Sequence, residues 1–418
     1  VQTCALPISR RAAERILGWT GVTDAQVDAV GDWVLVSFPE GPASEPFAKF
    51  VQHTGVLISS RQAEAYLAGH SADAAATATA LARIRAVLAP YLSPVRPDDI
   101  LVTLAGMNAV AAGIAAVNAV QRPRGKRVWI QLGWLYVDST RLFEKGTDTR
   151  HVFVPGVTDL ATVERLLAQG DVAGVFTEIP NNPQLETADV LALRRLCDQH
   201  GAKLVLDPSS VGLASVDVLP HADVVCSSLT KYAASVGDVM AGMLAVNPAR
   251  ADAAALLQSA RAFVDAPYAG DAHALAQHIE RMATVTAHLS TQAAELARRL
   301  AKHPSVRRVR TALTTATSAH YQAMLRPGAG AGALITLELH ADLRTVYDRL
   351  KVVKGPSFGL EFTLAAPFLW LAHFSEVTTP EGRESLRRAG LDPDLLRVSV
   401  GLEPIEEIWS AFEAALRP

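Results

Sequence analysis

Between residues 100 and 246 the chain alternates short apolar runs with longer segments of helical spacing. Apolar runs stand at 100–103, 128–130, 152–154, 172–177, 204–206, 224–226 and 241–246, while helical spacing fills 161–167 and 187–200. Short continuous apolar runs suit strands buried on both faces. Their alternation with helices predicts an α/β domain built on a mainly parallel sheet covered on both sides. Upstream, the pattern predicts a helix over 10–19, a strand over 33–38 and a long alanine-rich helix over 71–92. The stretch 47–67 ends in a helix that Ser59 or Ser60 caps, with Glu64 near N3. Downstream, 252–302 predicts a long helical region. It leads to a second α/β unit with strands at 306–310, 333–339 and 396–400 and helices at 343–350 and 405–416. The expected division is an N-terminal extension over 1–50, a large domain over 51–262, and a linking helix plus small C-terminal domain over 263–418.

Composition narrows the function classes. The chain has 418 residues, half of them hydrophobic and only 19% charged, which supplies a sizeable core. A net charge of −3 with no basic tract argues against a nucleic-acid partner. Cys4, Cys197 and Cys226 are far apart and lack metal-ligand spacing, so neither a disulfide framework nor a metal site is expected, and a cytoplasmic setting is. Residues 101–120 carry no charge over about a bilayer's thickness, but alanines, glycines and asparagines dominate, so a buried helix is expected and no membrane span. No signal peptide is expected. Residues 1–10 carry no argument.

The chemistry gathers at 204–246. One apolar run ends in Asp207, and the next ends in Ser227, Ser228, Thr230 and Lys231. A lysine near a strand end is ordinarily a solvated surface residue. Here it stands about two dozen residues after an acid that closes a buried-looking strand. An acid, small hydroxyls and one lysine are what pyridoxal phosphate needs: a Schiff-base amine, a partner for the pyridinium nitrogen, and phosphate ligands. Gly106 and Met107, after the strand at 100–103, either pack a helix or bring backbone N–H groups to an anion at a helix N-terminus. No Gly-Lys-Ser/Thr follows them, so this is not a Walker loop, and GAGAG at 328–332 precedes a strand and reads as a turn. Tyr136 either packs or stacks on a cofactor ring. Asn182, in TEIPNNP, either shapes a turn or donates to a cofactor hydroxyl. Arg397, in LLRVSVGLE, is either ion-paired structure or a clamp for a substrate carboxylate.

Taken together, these blocks resemble the Cys/Met-metabolism family of pyridoxal-phosphate enzymes of fold type I, closest to the fungal-type cystathionine γ-synthase branch. SSLTKYAASVGDVMAG resembles the family's lysine block, TEIPNNPQLET its E-x-P-x-N-P block, and LAGMNAV its phosphate-binding block. QHTGVLISSRQAE, RPGAGAGALITLEL, GPSFGLEFTLAAPFLWLAHF and LLRVSVGLE follow the family's order, so the likeness runs from about Phe47 to the C-terminus. The resemblance implies a large domain with a seven-stranded sheet and a smaller α/β C-terminal domain. It makes Lys231 the Schiff-base lysine and Asp207 the pyridinium partner, with Ser228, Thr230, Gly106 and Met107 at the phosphate. Tyr136 would stack on the ring and share in catalysis, and Asn182 would reach its hydroxyl. Ser357 and Arg397 would bind the substrate carboxylate, and Arg61 would reach the phosphate of a neighbouring subunit in a homodimer or homotetramer. The implied reaction is γ-replacement of an O-acylhomoserine by cysteine, in the trans-sulfuration of methionine biosynthesis. Alternatives are a cystathionine or methionine γ-lyase, a sulfhydrylase, an aminotransferase, and a non-catalytic member. Three positions depart from the family: Ser59 stands where many members have a tyrosine, Ala105 replaces a phosphate-side hydroxyl, and Ala241 replaces a glycine.

Overall fold

The computed structural model describes residues 2–417 apart from 32, 71–72 and 146–149. Seven strands form the central sheet, in the spatial order Leu101–Thr103, Gly242–Val246, Val224–Ser228, Lys203–Asp207, Val172–Glu178, Val128–Leu132 and Arg150–Val154. Gly242–Val246 runs antiparallel to both neighbours and the remaining pairs are parallel. Alternate residues feed two cores. Leu204, Leu206 and Val225 enter one cluster, while Val205, Val224 and Cys226 enter the other, beneath helix Gly106–Gln121. This is why the strands carry no polar alternation.

The region 101–120 is a strand followed by that buried helix, and no described helix is long and apolar enough to cross a membrane. Cys197 and Cys226 are buried free thiols, and no cluster suited to a metal ion occurs among the described residues.

A second sheet of five strands, Val306–Arg310, Leu334–Leu339, Leu396–Ser399, Leu364–Ala366 and Val353–Lys354, packs on helices Met282–Leu300 and Ile405–Leu416. The edge strand at 353 and its neighbour at 364 were not expected. They are two and three residues long, too short for any period to register. The helical stretch expected over 252–302 is three helices, Ala253–Phe263, Ala269–His278 and Met282–Leu300. The helix expected from Thr187 begins at Val190, because the Asp189 carboxylate accepts from Ala192 N and sets the start. Ser71, where another helix was expected to begin, lies outside the described residues; that helix covers Ala74–Leu88.

The first residues form a unit of their own. Strands Gln2–Ala5, Trp33–Pro39 and Gln26–Val30 make an antiparallel sheet covered by helices Arg10–Thr20 and Ser44–Thr54. It is tied to the main domain through Asp265, which receives Arg11, Arg15 and the Ser9 hydroxyl, and which also holds Asn108 on the first turn of helix Gly106–Gln121.

Candidate active site

Strand ends of the central sheet open into a cavity of about 480 Å³ lined by both the large and the C-terminal sheets. Helix Gly106–Gln121 starts at its wall. Its N-cap is Ala105, which supplies no side-chain hydrogen bond, and Ala105, Gly106 and Met107 line the cavity. The opening turn therefore presents an uncapped N-terminus, the arrangement that favours an anion. A Cβ on Gly106 would stand 2.8 Å from the Ser228 Cβ, so the glycine permits this close approach. Ser228 N–H donates to the Ser209 hydroxyl at 2.7 Å, and Ser209, Ser228 and Thr230 all line the same end. The Thr230 hydroxyl also meets the backbone of Ala241 at 3.3 Å.

Asp207 and Glu178 end adjacent parallel strands in register. Both are buried, and burial of two carboxylates side by side raises both: Asp207 to about 6, and Glu178 well above the usual carboxylate range. Glu178 also accepts the Tyr136 N–H at 2.6 Å. Sequence reasoning passed over Glu178, although the signal was present in the acid that closes the run before Pro180.

Lys231 follows the strand Val224–Ser228 and turns into the cavity, where Nζ donates to the Ser357 hydroxyl at 3.0 Å. Burial, reinforced by the nearby Arg397 charge, lowers its amine to about 8. Arg397, on the C-terminal sheet, is 2% exposed. It donates to Asn182 Oδ1 at 3.0 Å and to the Pro356 carbonyl, and lies over the rings of Phe358 and Phe368. Among the described residues no carboxylate forms an ion pair with it, and burial lowers it to about 10. A buried guanidinium without an acid of its own is costly to hold, which suits a site that receives a carboxylate from a ligand.

Ten of the expected site residues thus share one cavity: Lys231, Asp207, Tyr136, Gly106, Met107, Asn182, Ser228, Thr230, Ser357 and Arg397. Asn182 and Ser357 contact Arg397 and Lys231 within the protein. Arg61 is not in this cavity. It pairs with Asp271 at 3.2 Å and Asp238 at 3.0 Å, and Ser59 caps its helix while donating to Asp271. The residues present fit pyridoxal phosphate: an uncapped helix start with hydroxyls for the phosphate, a buried acid for the ring nitrogen, and a desolvated amine.

Fold and site together define a pyridoxal-phosphate enzyme of fold type I. The family model for Cys/Met metabolism PLP-dependent enzymes matches residues 98–417, and the chain belongs to that family. Among its relatives is the L-2-amino-4-chloropent-4-enoate dechlorinase/desaturase of Streptantibioticus cattleyicolor, 41% identical over 99% of this chain and 85% of that protein. The cystathionine γ-synthase of Neurospora crassa is 30% identical over 78% of this chain, which spans 53% of that protein's length. Among solved structures, cystathionine γ-synthase from Xanthomonas oryzae pv. oryzae aligns with a TM-score of 0.65 at 25% identity, over 76% of this chain and 80% of that one.

Proposed function

We propose that the protein expels a leaving group from the γ carbon of an L-α-amino acid, with elimination as the principal outcome. The observation that carries this reading is the presence, in one cavity, of the Lys231 amine lowered to about 8 and the buried Arg397 guanidinium, which has no carboxylate ion-paired to it among the described residues. Pyridoxal phosphate, when bound, supplies the electron sink that makes the Cα hydrogen of an attached amino acid acidic. Arg397 receives the α-carboxylate and orients the substrate. Lys231 takes the Cα proton and moves protons at Cβ, so that the γ substituent can leave with its electron pair. Asp207 holds the proton on the ring nitrogen, Tyr136 stacks on the ring, and Asn182, with Oδ1 committed to Arg397, keeps Nδ2 to donate to the ring hydroxyl. Gly106 and Met107 with Ser228 and Thr230 hold the phosphate, and Arg61 reaches the phosphate of a neighbouring subunit. Ser357, tied to Lys231, becomes available to the substrate carboxylate when the lysine moves.

Elimination is favoured over replacement for two reasons. Among the described residues that line the cavity, Arg397 is the guanidinium present, so one amino-acid carboxylate is provided for and a second is not. The relative that aligns over 99% of the chain carries a name that describes loss of chloride with gain of unsaturation, a net loss of HCl. The second reading is γ-replacement by cysteine, supported by the 30% identity to a cystathionine γ-synthase.

The test is an absorbance spectrum of the protein with pyridoxal phosphate, then product analysis with 4-chloro-2-aminopent-4-enoate and with O-acylhomoserine, each with and without cysteine. Chloride release without cysteine is expected. Turnover of acylhomoserine only when cysteine is present would establish the second reading instead. Conversion of the cofactor to pyridoxamine phosphate by amino acid alone would overturn both.

A further inference from the structure

The N-terminal unit lies outside the span matched by the family model, yet it reaches the cavity. Its helix Ser44–Thr54 ends against the wall of the site: Gln52 and Gly55 line the cavity, and a Cβ on Gly55 would stand 3.1 Å from Asn108 N and from the Met107 Cβ. On the last turn of that helix His53 and Gln52 converge on one oxygen. His53 Nδ1 donates to Asp138 Oδ1 at 3.0 Å, and Gln52 Nε2 donates to the same atom at 2.9 Å. His53 and Asp138 are each 6% exposed, and His53 Nε2 is buried with no hydrogen-bond partner among the described residues. A buried imidazole kept with half its hydrogen-bonding capacity unused indicates that the bond it does make matters.

Asp138 lies two residues beyond Tyr136, and the Tyr136 phenol stands beside the carboxylate; partial burial and that charge raise the phenol. Two donors from the N-terminal unit thus fix Asp138 through Oδ1. On the other side, Glu178 holds the Tyr136 backbone N–H. The tyrosine is thus held at its backbone by Glu178 and lies beside a carboxylate that the N-terminal unit fixes.

We infer that residues 2–54 form a positioning element of the active site, in which His53, assisted by Gln52, sets the orientation of Tyr136 through Asp138. This rests on the assignment of Tyr136 to the cofactor ring made above. His53 touches no substrate and is a positioning residue. Losing a clamp that aligns a reacting group costs about ten- to a hundredfold in turnover.

The experiment uses the full-length holoenzyme with His53→Ala, His53→Asn and Tyr136→Phe, singly and combined, read by visible circular dichroism of bound pyridoxal phosphate, cofactor affinity, and kcat and KM separately. His53→Ala is expected to change the cofactor dichroism and lower kcat about tenfold with KM within about twofold. His53→Asn, whose amide keeps a donor near Nδ1, restores both. In the Tyr136→Phe background His53→Ala adds nothing further. An unchanged dichroism with only a lower melting temperature, or an equal loss in the Tyr136→Phe background, would overturn the inference. If His53→Ala does not fold, Gln52→Ala is read the same way. Because the dichroism arm needs no substrate, its result stands even if no γ-substituted amino acid is turned over, an outcome that would count against the proposed reaction alone.

Discussion

Two carboxylates at the ends of neighbouring strands set the electrostatics of the cavity floor. Burial with little to neutralise it penalises the ionised form of Asp207, raising it to about 6. A group whose folded pKa lies above its unfolded value binds more protons in the folded state between the two. The apo protein should therefore lose stability as pH rises from about 4 to about 6, by about 3 kcal/mol from this group for a shift of about two units. Urea unfolding of the apo protein at pH 4.5 and 7 should show this slope, and Asp207→Asn should reduce it, leaving the part of the same sign that belongs to the buried Glu178. Equal slopes in the two proteins would mean that the aspartate is not the group responsible. Lys231 has the opposite displacement. Its amine at about 8 must be deprotonated to act as a base, so kcat should rise with pH and level off above about 8. Lys231→Ala should lose the visible cofactor band together with turnover, and a variant retaining both would remove the lysine from the mechanism. Lys231 and Asp207 were legible because each is a rare polar residue closing a short apolar run. Glu178 closes another and was passed over, since its importance comes from standing beside Asp207, a pairing that only strand register reveals.

The helix Gly106–Gln121 joins chemistry to packing. Its uncapped start leaves N–H groups for an anion, and Gly106 lets the turn approach Ser228. Gly106→Ala would place a methyl 2.8 Å from the Ser228 Cβ, and overpacking of this kind costs about 1–3 kcal/mol. A fall in pyridoxal-phosphate affinity of ten- to a hundredfold, about that energy, is expected by equilibrium dialysis, with the visible band retained at saturating cofactor. In contrast, Ala105→Ser gives the helix a capping hydroxyl and should raise the melting temperature of the apo protein, since a serine cap contributes about 1 kcal/mol. Melting curves without cofactor check that directly. At this scale the sequence was informative about which elements exist and less so about where they end. The long helical stretch breaks around 264–268, where Pro267 cannot continue a helix, and at Ile279–Arg281, where a single tighter turn with no proline or glycine to mark it joins two helices. The contact that Ser44–Thr54 makes could not be read, because His53 and Asp138 are 85 residues apart, and the block that contains His53 says nothing of which distant residue it meets.

At the scale of the whole molecule, the cavity draws on three parts: Lys231 and Asp207 from the central sheet, Arg397 from the C-terminal sheet, and Gln52 from the N-terminal unit. The proposed role of Arg61 would add a fourth, from another copy of the chain. Within its own chain Arg61 rests between Asp271, whose side chain is 1% exposed, and Asp238, whose side chain is 69% exposed. The buried partner fixes the stem of the guanidinium, while the exposed one is an ion pair of little strength that a phosphate could displace. This arrangement suits an arginine that reaches outward, and it makes a sharp demand on mixed assemblies. Arg61→Ala and Lys231→Ala should each abolish activity in separate preparations. Co-refolded in equal amounts, they should regain about a quarter of the wild-type rate, because half of the dimers are hybrids and each hybrid carries one site with both residues intact. If the arginine served its own chain instead, every site in every hybrid would lack one residue or the other within that chain. No Lys231→Ala site works, and every remaining site would contain the Arg61 defect, so the mixture would stay silent.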